Sequence, residues 1–160
     1  MQARGWISRG ICGIFDAWGR KRNRMKLADD PFFGTWELDP ETLNYQFGCP
    51  GRRAVYVIEP GENGEVVFHL DADDADGKLI KVTYGGALDG KDRPLGGNAA
   101  LVLTRLDHRA IESSLKRDGK IVDRWTRELQ SGNQEMLITQ HGVKPDGEPF
   151  ANTGIYRRTK

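Results

Sequence analysis

The chain has 160 residues, 38% of them hydrophobic and 29% charged, enough for one domain with a sizeable core and too apolar for a disordered chain. Net charge is +1 but uneven: residues 1–26 hold seven basic residues and one acid, +6, and the remainder holds 17 basic and 22 acidic residues, −5. The larger part is therefore mildly acidic, which excludes a global field for nucleic acid, and no apolar run approaches the roughly 20 residues that span a bilayer.

Residues 4–19 read as an amphipathic helix, because Ile7, Ile11, Ile14, Phe15 and Trp18 fall on one helical face. A basic cluster, Gly19-Arg20-Lys21-Arg22-Asn23-Arg24, follows it. A secretory signal carries its charge ahead of the apolar run, so none is read here. Three readings of the segment stand side by side. It lies on an anionic membrane surface through residues 4–26, it docks on the remainder as a lid, or it is no part of the working protein. The basic cluster is a weak match to a nuclear-localisation signal. Asp29-Asp30-Pro31 marks a boundary, since the residue before proline is disfavoured in the helical region. The division is thus residues 1–28 and a domain over 29–160. Cys12 and Cys49 are expected as free thiols of a reducing compartment, which places the chain in the cytoplasm, with a membrane periphery as the variant.

From Phe32 onward the pattern is strand and turn. Phe32-Phe33-Gly34-Thr35-Trp36-Glu37-Leu38-Asp39 puts Gly34, Trp36 and Leu38 on one face, with the period of two of a half-buried strand. Further strands are expected at Arg53–Glu59, Glu65–Asp71, Lys78–Tyr84, Ala99–Leu106, Arg109–Leu115, Lys120–Leu129, Glu135–His141 and Phe150–Arg157, with a short piece near Ala87–Leu88. Turn signals separate them: Gly61–Gly64, Asp76-Gly77, Asp89-Gly90, Asp118-Gly119, Gly132-Asn133 and Asp146-Gly147, of which the Asp-Gly pairs suit type I′ hairpins. Connections this short leave no room for crossover helices, so neighbours are antiparallel. The expected fold is all-β, an antiparallel up-and-down barrel of about 8–10 strands, closed so that no edge is exposed. Trp36 is the plug of one barrel end. Parity assigns inward faces to Ala54, Tyr56 and Ile58; to Val66, Phe68 and Leu70; to Ile80, Val82 and Tyr84; to Leu101 and Leu103; and to Met136 and Ile138. It also places Ile121, Asp123, Trp125, Arg127 and Leu129 on one face, and Phe150, Gly154 and Tyr156 on another.

The opening Asp30–Asp39 resembles the first strand of lipocalins and fatty-acid-binding proteins, the calycin superfamily. With the Pro/Gly loop Phe47–Gly51, the strands around Ile121 and Ile138, and the closing Gly154-Ile155-Tyr156-Arg157-Arg158, residues 30–158 are most similar to small bacterial lipocalin-like proteins of poorly defined function. The resemblance implies a barrel that binds a small hydrophobic or amphipathic molecule without chemistry or cofactor of its own. It also implies an arginine of the last strand across the tryptophan, here Arg158 over Trp36. Two departures count against a fatty-acid carrier. The last strand has Gly154 where that branch has an arginine two residues before its tyrosine. Only about 14 residues join the first two strands, too few for a two-helix lid.

The candidate ligand-binding residues are Trp36, Tyr56, Phe68, Tyr84, Trp125, Arg127 and Tyr156. An arginine facing an apolar cavity holds an anionic head group by a bidentate contact; Arg127 and Arg105 are the candidates, against the alternative that both reach solvent at strand ends or pair with Asp123. The rival classes are an isomerase or cyclase with Arg127 or Tyr156 as its polar group, and a packed structural barrel with no cavity. His69 is expected to point outward, His108 lies in a turn and His141 ends a strand, so a haem ligand is poorly supplied, His141 being the least unsuitable. The acidic run Asp71–Gly77 misses the spacing of a calcium loop because Ala75 stands at a ligand position. No nucleophile elbow, zinc-protease, P-loop or C-x-x-C motif is present.

Because the barrel pattern is complete from residue 29, deletion up to Leu27 is expected to leave the remainder folded. Thermal melts of the two forms check this: a midpoint lowered by more than about 10 °C, beyond the effect of ~1 kcal/mol, contradicts it.

Overall fold

A computed structural model describes residues 29–160. The helix expected over residues 4–19, the basic cluster, Cys12 and the membrane contact through residues 4–26 lie outside the described residues.

Ten strands follow one another: β1 Gly34–Tyr45, β2 Ala54–Pro60, β3 Val66–Asp73, β4 Leu79–Gly86, β5 Asp89–Gly96, β6 Ala99–Asp107, β7 Ala110–Arg117, β8 Lys120–Leu129, β9 Glu135–Val143 and β10 Pro149–Arg158. All ladders are antiparallel, and the sheet runs β4-β3-β2-β1-β10-β9-β8-β7-β6-β5. This is the expected all-β up-and-down architecture, with one difference. β1 and β10 pair and curl the sheet, but β4 and β5 share no ladder, so a seam remains between two consecutive strands.

The seam explains two departures from the parity reading. Ile80 and Val82, assigned inward, are 40% and 41% exposed, because β4 has a covering neighbour on one side only; Val82 nonetheless lines the interior. And β5 was not among the expected strands: Asp89-Gly90 reads as a turn, whereas the turn is Ala87-Leu88 and Gly90 (φ 74°) serves a bulge between Asp89 and Asp92. The β5 sequence, Asp-Gly-Lys-Asp-Arg-Pro-Leu-Gly, lacks alternation and contains Pro94, which only an edge strand tolerates.

β1 is also longer than expected. Its register against β10 slips between Asp39 and Asn44, where Thr42 Oγ1 donates to Asp39 O (2.6 Å) and accepts from Ile155 N (2.9 Å), so the strand continues through a bulge to Tyr45. The connection to β2 is therefore residues 46–53 rather than about 14 residues. The Asp-Gly pairs do two jobs. At Asp118-Gly119 both residues have positive φ, as in a type I′ turn, whereas at Asp74–Lys78 and Lys144–Glu148 a turn closes through Gly77 and Gly147 alone.

The end of the barrel beside the β1 start is solid. Trp36 is 0% exposed and its indole N–H donates to Phe32 O at 2.9 Å. The Arg158 guanidinium lies over the indole, 4.1 Å from its centroid, and donates to Asn133 O (3.0 Å), Phe33 O (2.7 Å) and Pro31 O. That is the cation–π contact implied by the resemblance. Gly34 is required here: a Cβ at this position would stand 2.4 Å from Lys160 O and 2.6 Å from Arg158 Nη1. Phe32, Ile58, Val66, Phe68, Leu103, Ile111, Leu129 and Met136 complete the core. Arg105 sits at this end too, paired with buried Asp30 and 5.3 Å from the Phe32 ring centroid. It therefore does not enter a cavity, and the head-group role considered for it is withdrawn.

Trp36→Ala is expected to lower the unfolding free energy by about 3–5 kcal/mol, as other buried aromatic truncations do, read from urea melts. A loss below about 1 kcal/mol would remove the plug from the account of the fold.

Candidate functional site

Above the solid end the interior opens into two adjoining cavities. The larger, about 470 Å³, is walled by Leu70, Leu95, Leu101, Leu115, Val82, Thr83 and Trp125, with Tyr56, Tyr84, Ser113 and Arg127 as its polar groups. Because Val82 belongs to β4 and Leu95 to β5, this cavity reaches the seam. The smaller, about 200 Å³, lies against the residue 46–53 loop; Tyr45, Gln140, Asn152, Tyr156, Arg53 and Asp73 bring its polarity. Tyr56, Leu70 and Trp125 line both, so the two form one interior. Each is within or near the few hundred Å³ of small-molecule sites.

Arg127 dominates the larger cavity. Its strand neighbours Trp125 and Leu129 share its inward parity, and cross-strand pairing sets it between Ile111 and Ile138. It is 1% exposed. Nη1 donates to Ser113 Oγ at 2.8 Å, and Nη2 donates to the Tyr56 hydroxyl (3.3 Å) and the Tyr84 hydroxyl. The guanidinium carbon lies 4.9 Å from the Phe68 ring centroid and 5.2 Å from that of Tyr56. Nε is buried with no partner among the described residues. Every group hydrogen-bonded to Arg127 is a neutral hydroxyl. Burial pushes the Tyr84 phenol far above its ordinary range against the pull of the nearby Arg127 charge, and it does the same to Tyr156. Neither tyrosine therefore supplies an anion. The guanidinium stays charged at any ordinary pH, so the cavity holds one positive charge with no counter-charge bonded to it.

A second polar group of residues crosses β8, β9 and β10. Gln140 Nε2 donates to both Asp123 carboxylate oxygens (3.4 and 3.2 Å), and Gln140 Oε1 accepts from Asn152 Nδ2 at 3.2 Å. Asn152, 5% exposed, fixes the loop: its Oδ1 accepts from Gln46 N (2.9 Å) and Phe47 N (3.2 Å), and its Nδ2 donates to Phe47 O (2.9 Å). Phe47 packs on Phe150 at 5.2 Å, and Gly51 passes so close to Asp73 O that a Cβ would be 1.8 Å away. Desolvation raises the Asp123 pKa above the ordinary carboxylate value, against the Gln140 and Arg124 hydrogen bonds that lower it.

Of the residues expected to bind ligand, Tyr56, Tyr84, Trp125, Arg127 and Tyr156 line the interior together. Trp36 and Phe68 line neither cavity. Trp36 is spent on the plug, and Phe68, stacked on Tyr84 at 5.0 Å, forms the floor under the Arg127 guanidinium. Asp123 bonds Gln140 rather than Arg127. His69 faces outward, bonded to Thr83 Oγ1 and Glu59 Oε1 at 3.0 Å, and His108 and His141 are exposed. Asp74 of the acidic run caps its own turn by accepting from Asp76 N and Lys78 N. Sequence reasoning missed Ser113, Gln140, Asn152 and Tyr45. Parity held a signal for three of them: Ser113 lies between inward Ile111 and Leu115, Gln140 follows Met136 and Ile138, and Asn152 precedes Gly154 and Tyr156. Tyr45 enters only through the β1 bulge, which parity does not foresee.

This geometry defines the class: an antiparallel up-and-down barrel with a largely apolar interior and a buried cation. Solved structures are similar to it in fold. The wild-type fluorescent protein UnaG aligns with TM-score 0.55 at 16% identity, covering 80% of this chain and 97% of that one, and a single-substitution variant of it aligns with TM-score 0.56 at 17% identity over 81% and 97%. A redesigned β-barrel aligns with TM-score 0.51 at 13% identity over 85% and 98%. At these identities the likeness is one of fold. The sequence matches no protein-family profile and no curated protein.

Asp123 yields a test of the polar row. Its raised folded pKa means the native state holds the proton more tightly than the unfolded chain. Its contribution to stability is thus fully present below the unfolded carboxylate pKa and is lost as pH rises through the folded value. Asp123→Asn is therefore expected to raise the melting midpoint near pH 7 and to leave it unchanged near pH 3. An equal effect at both pH values would show that the carboxylate charge is not what burial opposes.

Proposed function

We propose that the protein is a non-catalytic carrier or sensor that holds one small amphipathic anion inside its barrel. The observation that carries the reading is Arg127: a guanidinium 1% exposed, bonded only to hydroxyls, with Nε unpartnered. Burying a charge without a counter-charge is costly, and a ligand carboxylate, sulfonate or similar oxyanion entering the larger cavity supplies the missing partner. The walls of Leu70, Leu101, Leu115 and Trp125 then take the apolar part. The resemblance of residues 30–158 to bacterial lipocalin-like proteins supports the same reading. We read binding rather than isomerase or cyclase chemistry because burial makes the cavity tyrosines Tyr84 and Tyr156 harder to ionise, away from the range a general acid or base needs. The cavity volume favours binding over the packed structural barrel.

Arg127→Met tests this in two measurements. Titrations of dodecanoate, dodecanol and dodecylamine against the full chain, read by displacement of anilinonaphthalene sulfonate, are expected to rank dodecanoate tightest, with its advantage over dodecanol lost in the variant by about 10-fold or more. The melting midpoint without ligand is expected to stay level or rise, since an uncompensated buried charge has been removed. Indifference to ligand charge, or a variant that melts many degrees lower with unchanged binding, would make Arg127 a structural brace instead.

A further inference from the structure

Resting on that reading of Arg127, we propose that the ligand is two-ended: an acid at Arg127 and, at its far end, an uncharged hydrogen-bonding group such as a hydroxyl, received by Tyr45, Tyr156 and Gln140 in the smaller cavity. The register fixes the relation of the two stations. Trp125 is the next inward residue after Arg127 on β8, about 6.6 Å along the strand. Gln140 pairs with Trp125 across β8–β9, and Asn152 pairs with Gln140 across β9–β10. The amides thus stand one inward layer above the guanidinium, and Tyr56, Leu70 and Trp125 line the passage between.

The upper station has hydrogen-bonding capacity to spare. Asn152 is occupied by the loop and by Gln140, but Gln140 uses one N–H on Asp123 and one lone pair on Asn152, which leaves a donor and an acceptor. Tyr45 pairs with Asn152 across β1–β10 and so belongs to the amide layer, whereas Tyr156 enters from the Met136–Leu129 layer; both residues line the same cavity, and neither hydroxyl makes a hydrogen bond among the described residues. Burial raises the pKa of both phenols, so each stays neutral and offers one donor and an acceptor. The charges nearby disfavour an ionic end of either sign. A second carboxylate meets Asp73 in the cavity wall and Asp123 behind Gln140, while an ammonium meets the like charge of Arg53 and finds Asp73 already shared with that arginine (3.8 Å) and Asp123 already bonded to Gln140 (3.2 Å). An uncharged polar group finds hydroxyls and an amide there and is repelled by neither Arg53 nor Asp73.

The test uses saturated acids of eight, ten and twelve carbons, each plain, ω-hydroxylated, ω-carboxylated or ω-aminated, titrated against the full chain. At the length that bridges the stations, the ω-hydroxy acid is expected to bind about 3- to 10-fold more tightly than the plain acid. Tyr45→Phe and Tyr156→Phe keep the rings and remove only the hydroxyls; one or both are expected to cancel that advantage while leaving the plain acid within about twofold. The inference is overturned if plain acids bind as tightly at every length, if the diacid or amino acid is preferred, or if the hydroxyl advantage survives both substitutions. If no acid binds, or if Arg127→Met leaves plain-acid binding unchanged, the reading of Arg127 falls and this one with it.

Discussion

The pairing of β1 with β10 is the constraint on which the rest of the molecule depends. Eight hairpin-linked ladders alone make two separate stretches of twisted sheet; joining the first strand to the last makes them one sheet with an inside. Trp36 sits opposite Arg158 in that ladder, and the arginine both covers the indole and collects carbonyls from Pro31, Phe33 and Asn133. One side chain therefore ties the segment before β1, the β8–β9 turn and the last strand to a single aromatic block. Gly34 makes that approach possible by having no side chain where Lys160 O and the guanidinium must lie.

Given that inside, the interior divides by chemistry with depth. The solid end is apolar and fully packed. The middle holds a single cation whose neighbours are hydroxyls, and the far end holds an amide row that anchors the loop. A protein selected only for stability gains little from Arg127 in that position, because hydrophobic side chains of similar volume do as well or better in buried sites. On the proposed reading, the arginine is a group held ready for a ligand anion, with the stability it forgoes set against affinity.

Much of this was legible in the sequence, and the failures have physical causes. Alternation located β2, β3, β8, β9 and β10 within about two residues, because each is covered on one face and wet on the other. It failed for β5, where neither face is buried enough to impose a pattern, and for the inner side of β4, where Ile80 and Val82 follow the period but face a missing neighbour. Parity placed Arg127 on the inward face with Trp125. It did not identify Tyr84, Tyr56 and Ser113 as the partners of the guanidinium, because those contacts join strands far apart in the chain through a register that local sequence does not encode. Trp36 was read as both plug and ligand contact, and a residue completely enclosed by Phe32 and Arg158 has no surface left for the second task.

The seam between β4 and β5 gives the barrel an adjustable girth. Elsewhere around the circumference, a wider interior means lengthening or breaking ladder hydrogen bonds, which are directional and lose strength steeply when distorted. At the seam no ladder exists, and the larger cavity reaches it between Val82 and Leu95, the latter 57% exposed. Spreading those two edges breaks no ladder hydrogen bond. The wall is thus held by ladders around most of its circumference and by none along one line, like a split collar.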